Sequence, residues 1–173
     1  MSQRMSGYAR QERDLYETPE WVTLELGPHL PFVNGRIIWE PAAGNGKMVA
    51  ALQKLGFEVA ASDRERDFLT QPAPKPFWGI VTNPPFNLAT EFIERALFMM
   101  PPDGIVAMLL RTDFDHAKTR KHLFSGEPRF SKKVVLRKRI IWFDRPGAAP
   151  SFNHAWFIWD GNQRGAPSLA YAA

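Results

Sequence analysis

The sequence predicts an open, doubly wound α/β sheet, mostly parallel and closing with an antiparallel strand pair. Three observations lead there. Short apolar strands and amphipathic helices follow one another as strand, helix, strand, strand, helix, strand, ahead of a late group of strands. Those strands are near-continuous apolar runs, the habit of strands covered by helices on both faces. Two of them end in unusual turns, one rich in glycine and one in proline, at the carboxyl ends where such sheets bind ligands.

Each element has its own signal. Residues 1–15 are polar and mixed in charge, a loose arm ahead of one domain at 16–173. The first strand is RIIWE at 36–40, and the turn after it opens a helix over 47–55. There Met48, Val49, Leu52 and Leu55 share a face and Gly56 supplies the stop. A second strand is expected at 57–63. Pro72, Pro74 and Pro76 mark an irregular stretch before a third strand at 78–82. Ala89, Phe92, Ile93, Ala96, Leu97 and Met100 then form a continuous apolar helical stripe, ended by Pro101 and Pro102. A fourth strand runs over 105–110, and shorter ones are expected at 134–136, 140–143 and 155–159. The last two, joined by a loop with Pro and Gly, form the expected antiparallel pair. Trp156 and Trp159 differ by three and so face opposite sides of their strand, as core residues.

Composition narrows the function classes. A length of 173 residues suits one domain, and 13% aromatic residues argue against general disorder. The absence of cysteine excludes disulfide scaffolds, thiolate zinc and cysteine nucleophiles. The four histidines are dispersed without ligand spacing, so no metal site is expected. No run reaches the ~18 apolar residues of a membrane span, and a cytoplasmic protein is expected. The net charge of +4 is unevenly spread: residues 111–145 hold eleven basic and four acidic residues, net +7, and the remainder is −3. Arg111, Lys118, Arg120, Lys121, Lys132 and Lys133 are the candidate contacts to a polyanion. A solvated, lysine-rich surface is the other reading of the same residues.

The glycine turn is EPAAGNG at 40–46. Gly44 and Gly46 allow a sharp turn and close approach of a ligand to the backbone, and the helix start behind them offers unpaired amides. Asp63, nineteen residues past Gly44, sits where a carboxylate can take two ribose hydroxyls. The spacing is not GxGxxG and lacks the Lys-Ser/Thr of a phosphate loop. Glu40 would repel a pyrophosphate, which points to a cationic or neutral ligand. A plain strand-to-helix turn explains the glycines equally simply.

The second turn is Asn83-Pro84-Pro85-Phe86. Two prolines stiffen the chain and contribute no N–H, so the Asn83 side chain and the Pro84 carbonyl stand as fixed acceptors. Phe86 follows as a stacking surface. The set suits gripping a planar –NH2 group, drawing its lone pair out of conjugation and aiming it at an electrophilic carbon.

Together EPAAGNG, Asp63, Asp67-Phe68-Leu69 and TNPPF resemble the class I S-adenosylmethionine-dependent methyltransferases. More narrowly, they are similar to the small phage and prophage enzymes that methylate the N6 amine of adenine in DNA. Tyr16-Glu17-Thr18-Pro19 resembles the segment those enzymes place before the first strand, and 155–159 looks like their last strand. The resemblance implies a Rossmann-like fold and S-adenosylmethionine as cofactor. Tyr16, Thr18, Pro19, Glu40, Pro41, Ala42, Gly44 and Gly46 would lie around its methionine part, with Glu40 near the ammonium. Asp63 would take the ribose, Asp67 the adenine amine with Phe68 beside it, and Asn83, Pro84, Pro85 and Phe86 the target base. Asp67 has a competing role as a turn-capping carboxylate.

The expected partner is nucleic acid, with DNA favoured. RNA adenine is the nearest alternative, followed by a protein glutamine amide and a non-catalytic nucleic-acid or cofactor-binding module. The basic stretch at 111–133 is too short for stringent sequence recognition. A partner protein for target choice is therefore a further expectation.

Overall fold

A computed structural model of the chain describes residues 16–31, 35–63, 67–142, 150 and 152–173. The arm expected at 1–15 and the end of the strand expected at 140–143 lie outside the described residues. Seven strands form one sheet: β1 (Ile37–Glu40), β2 (Glu58–Ala61), β3 (Gly79–Thr82), β4 (Ile105–Arg111), β5 (Phe130–Val135), β6 (His154–Asp160) and β7 (Ser168–Tyr171). Their order is β2-β1-β3-β4-β6-β5-β7. The first four are parallel, β6 runs antiparallel between β4 and β5, and β7 lies parallel to β5 at the edge. The expected fold class therefore stands.

The late strands differ from expectation in their partners. Residues 140–142 are not a strand. Their strand-like pattern arises because Ile140 and Trp142 are buried core side chains while Ile141 is exposed. Neither side of β6, their expected partner, was open to them, since β4 and β5 occupy both. The strand expected at 134–136 is the end of β5, whose earlier residues Ser131, Lys132 and Lys133 are half-exposed and polar. The strand at 155–159 is not the last, because β7 follows it.

Three helices flank the sheet: α1 (Glu20–Leu24), unexpected from the sequence, α2 (Lys47–Lys54) and α3 (Ala89–Met99). Alternation along the strands divides the core cleanly. Ile38, Val81, Leu109 and Trp156 face α1 and α2, whereas Trp39, Ile80, Met108 and Trp159 face α3. The two tryptophans of β6 thus serve opposite layers, and each buried indole finds an acceptor. Trp156 Nε1 donates to the Val22 carbonyl of α1 at 2.9 Å, and Trp159 Nε1 to the Leu123 carbonyl at 2.7 Å.

The chain leaves β1 toward β2 on one side and returns as β3 on the other. The carboxyl ends of β1 and β3 consequently diverge at a crevice, the position where open α/β sheets hold ligands.

Candidate active site

The crevice is a cleft of about 410 Å³. Its lining includes Tyr16, Thr18, Glu40, Pro41, Ala42, Gly44, Asp63, Asp67, Phe68, Asn83, Pro84, Pro85 and Phe86. Residues singled out along 70 positions of sequence are thus drawn into one place. Two predicted residues fall outside the lining. Pro19 starts α1, its carbonyl accepting from Val22 N–H at 3.0 Å. Gly46 precedes α2 in the left-handed region at φ 81°, and Gly44 has φ 50°, so the turn requires glycine geometry behind the cleft.

Glu40 ends β1 with its carboxyl group buried. Oε1 accepts from Ala42 N–H at 2.8 Å and from the Thr82 hydroxyl at 2.6 Å. Oε2 is buried and has no partner among the described residues. Burial pushes this carboxyl up to about 8, a rise that the Thr82 and Ala42 hydrogen bonds oppose and the Asp63 charge reinforces. The side chain is therefore mostly protonated at neutral pH until a cation meets it. An orphaned carboxylate oxygen in this cleft is what an ammonium group requires, so the residues fit the methionine end of S-adenosylmethionine.

Asn83 mirrors this arrangement at the end of β3. Its Nδ2 donates to the Tyr16 carbonyl at 3.1 Å, which leaves Oδ1 as a buried acceptor without a partner among the described residues. The Tyr16 carbonyl can only accept, and that fixes which way the amide points. Phe86 is 45% exposed, with Tyr16 at 5.3 Å and Trp142 at 6.4 Å between ring centroids. A part-exposed ring and an amide thus line the same cleft.

The other predicted residues are more mixed. Phe68 is buried against Trp39 and Phe92 and forms the cleft floor. Asp67 caps its own turn, its Oδ1 accepting from Leu69 N–H at 3.0 Å, while the same residue lines the cleft. The basic residues do not form one stripe. Lys118 and Lys121 are exposed on a 3₁₀ turn, Lys118–Leu123. Arg120 packs over Phe114 and donates to its carbonyl, and Lys133 is held by Asp115 and the Thr112 carbonyl. Arg111 pairs with Asp113 at the carboxyl end of β4. Lys132 lines a separate depression with His29 and Arg164 at the opposite end of the sheet.

Several contributors were missed from sequence. Glu17 accepts from Lys47 at 2.5 Å and from Asn45, tying the segment before α1 to the glycine turn. The Lys47 ion pair holds its carboxyl below the usual range. His154, one of the four dispersed histidines, is 2% exposed at the start of β6, with Phe86 and Trp142 as ring neighbours. Burial lowers its imidazole to about 4. Thr82 was detectable as a polar residue ending an apolar strand. Among the described residues no three His, Asp or Glu side chains could hold a metal, and no helix is long and apolar enough to cross a membrane.

No protein-family model and no curated protein matches the chain. Solved structures do match in fold. A protein from Listeria monocytogenes described as a class I S-adenosylmethionine-dependent methyltransferase is similar at TM-score 0.63 and 14% identity, over 87% of this chain and 62% of that one. A Pyrococcus horikoshii protein described as an RNA methyltransferase matches at 0.62 and 13%, over 91% and 93%. The methyltransferase subunit of a type I restriction-modification system from Streptococcus thermophilus matches at 0.58 and 14%, over 85% and 45%. The chain spans less than half the length of that subunit. The fold is that of the class I methyltransferases.

Proposed function

We propose that the chain is an S-adenosylmethionine-dependent methyltransferase acting on the exocyclic N6 amine of adenine in DNA. One observation carries the reading. Glu40 and Asn83 line the same cleft at the divergence of β1 and β3, and each has one buried oxygen, Oε2 and Oδ1, without a partner among the described residues. One suits a cation, the other an –NH2 group with a ring lying over Phe86.

When bound, the cofactor supplies an electrophilic methyl group on a sulfonium. Glu40 would hold its ammonium, Asp63 its ribose and Asp67 its adenine amine, with Phe68 beside it. Asn83 Oδ1 and the Pro84 carbonyl accept the two amine hydrogens, and Pro85 keeps their spacing rigid. Held so, the amine nitrogen would face the methyl group that a sulfonium cofactor would supply, with the neutral thioether as the leaving group. The surplus amine proton leaves to solvent after alkylation, so no strong base is needed. Alignment and charge complementarity provide the rate, and a duplex target must first turn its base out of the stack. The 16–173 segment acts as a catalytic domain, and target choice falls to a partner protein or to the Lys118–Leu123 turn.

Transfer of a labelled methyl group to DNA, RNA and protein tests the proposal. The expected result is N6-methyladenine in DNA, with the rate lowered about a hundredfold or more in Asn83→Ala. Label confined to RNA or protein would replace the substrate assignment. Undiminished transfer by Asn83→Ala would remove Asn83 from the acceptor site.

A further inference from the structure

Resting on the cofactor reading above, we infer that Thr82 is a positioning residue. Its hydroxyl holds Oε1 of Glu40 so that Oε2 is presented to the ligand's ammonium. Thr82 is fully buried, lies directly before Asn83, and gives its hydroxyl hydrogen to Glu40 at 2.6 Å. The only other donor to that carboxyl group among the described residues is Ala42 N–H, on the same oxygen. Both constraints therefore act on Oε1, which leaves Oε2 as the buried oxygen without a partner among the described residues, on a side chain that lines the cleft. Because β3 supplies Thr82 and then Asn83, one strand end sets both acceptors, and a shift of β3 would move them together.

The same hydrogen bond tunes the charge that the ligand meets. It favours the ionised carboxylate against burial and against Asp63, which faces it from the end of β2. Lys47, paired with Glu17, and Asp67 are the other charged groups on the cleft wall. Ligand binding must expel the Glu40 proton wherever the free protein still carries it. With the free carboxyl at about 8, binding at pH 8 releases about half a proton in the native chain.

Isothermal titration with S-adenosylhomocysteine, in two buffers of different ionisation enthalpy, reads both affinity and proton release. Thr82→Val removes the donor at constant shape. It is expected to weaken binding about tenfold at pH 7 and to raise proton release at pH 8 from about half toward one. Thr82→Ser is expected to restore both to near the native values, which a packing role alone would not do. Thr82→Ala gives the same two readings if valine is not accommodated. Native affinity and native proton release in the valine variant would overturn the inference. Undiminished binding by Glu40→Gln would instead overturn the cofactor reading on which it rests.

Discussion

A single glycine and a single amide show how much the cleft depends on individual residues. Gly46 adopts φ 81°, and nothing lies within 4 Å of where a Cβ would stand, so steric contact is not what requires glycine there. The requirement is purely of the backbone. Gly46→Ala should therefore cost about 1 kcal/mol of stability, the ordinary penalty of a left-handed alanine, measurable by urea denaturation. Asn83 is constrained differently, by the Tyr16 carbonyl, 67 residues away in sequence. The NPPF motif marked Asn83 as a candidate acceptor, and its Oδ1 has no partner among the described residues. The motif could not reveal that Tyr16 orients the amide through its backbone, since any residue at 16 offers the same carbonyl. The contact between Thr82 and Glu40, 42 residues apart, was hidden for a related reason: it depends on β1 and β3 being neighbours.

At the level of elements, periodicity exposed the parallel strands and α3, whereas the late strands were harder to read. A helical stripe such as that of α3 is buried along one face and leaves a strong signal. β5 and β7 lie near the sheet edge with polar or exposed residues, so neither an apolar run nor clean alternation marks them. Likewise, counting charges could not separate solvated lysines from basic side chains already engaged. The 3₁₀ turn Lys118–Leu123 contains both kinds. Lys118→Gln with Lys121→Gln is expected to lower the slope of log affinity against log salt for DNA by about two and to leave the melting temperature unchanged. Arg120→Ala should act the other way. Loss of its contact with Phe114 lowers the melting temperature by roughly 2–4 °C, with less effect on the salt slope. Trp156→Phe tests another junction, between β6 and α1. Without its indole the Val22 carbonyl loses its donor, and stability should fall by about 2 kcal/mol. Circular dichroism melts and a filter-binding titration across salt distinguish these outcomes.

For the molecule as a whole, two buried groups at the carboxyl edge of the sheet make folding stability depend on pH in opposite directions. His154 has a folded value of about 4 against an ordinary 6.5. As pH falls below 6.5 the unfolded chain takes up this proton and the folded chain does not, so stability drops between 6.5 and 4. Glu40 has a folded value of about 8 against 4.5. The folded chain keeps its proton while the unfolded chain loses it, so stability drops as pH rises from 4.5 to 8. Between 4.5 and 6.5 the two effects oppose each other; above 6.5 only Glu40 remains, and the free protein should lose about 1.5 kcal/mol between pH 6.5 and 8. Glu40→Gln cannot titrate and should show no such decline. Saturating S-adenosylhomocysteine should abolish it in the native chain as well, because an ammonium beside Oε2 compensates the carboxylate. Urea denaturation at pH 5, 6.5 and 8, with and without this ligand, measures all of these. A decline that persisted in Glu40→Gln would place its origin elsewhere. A decline unaffected by the ligand would mean that no cation reaches this carboxyl group. On the proposed reading, ligand binding relieves the cost of keeping the Glu40 carboxyl buried in the free protein, so the group that suits the cleft to a cation also limits the stability of the fold that carries it.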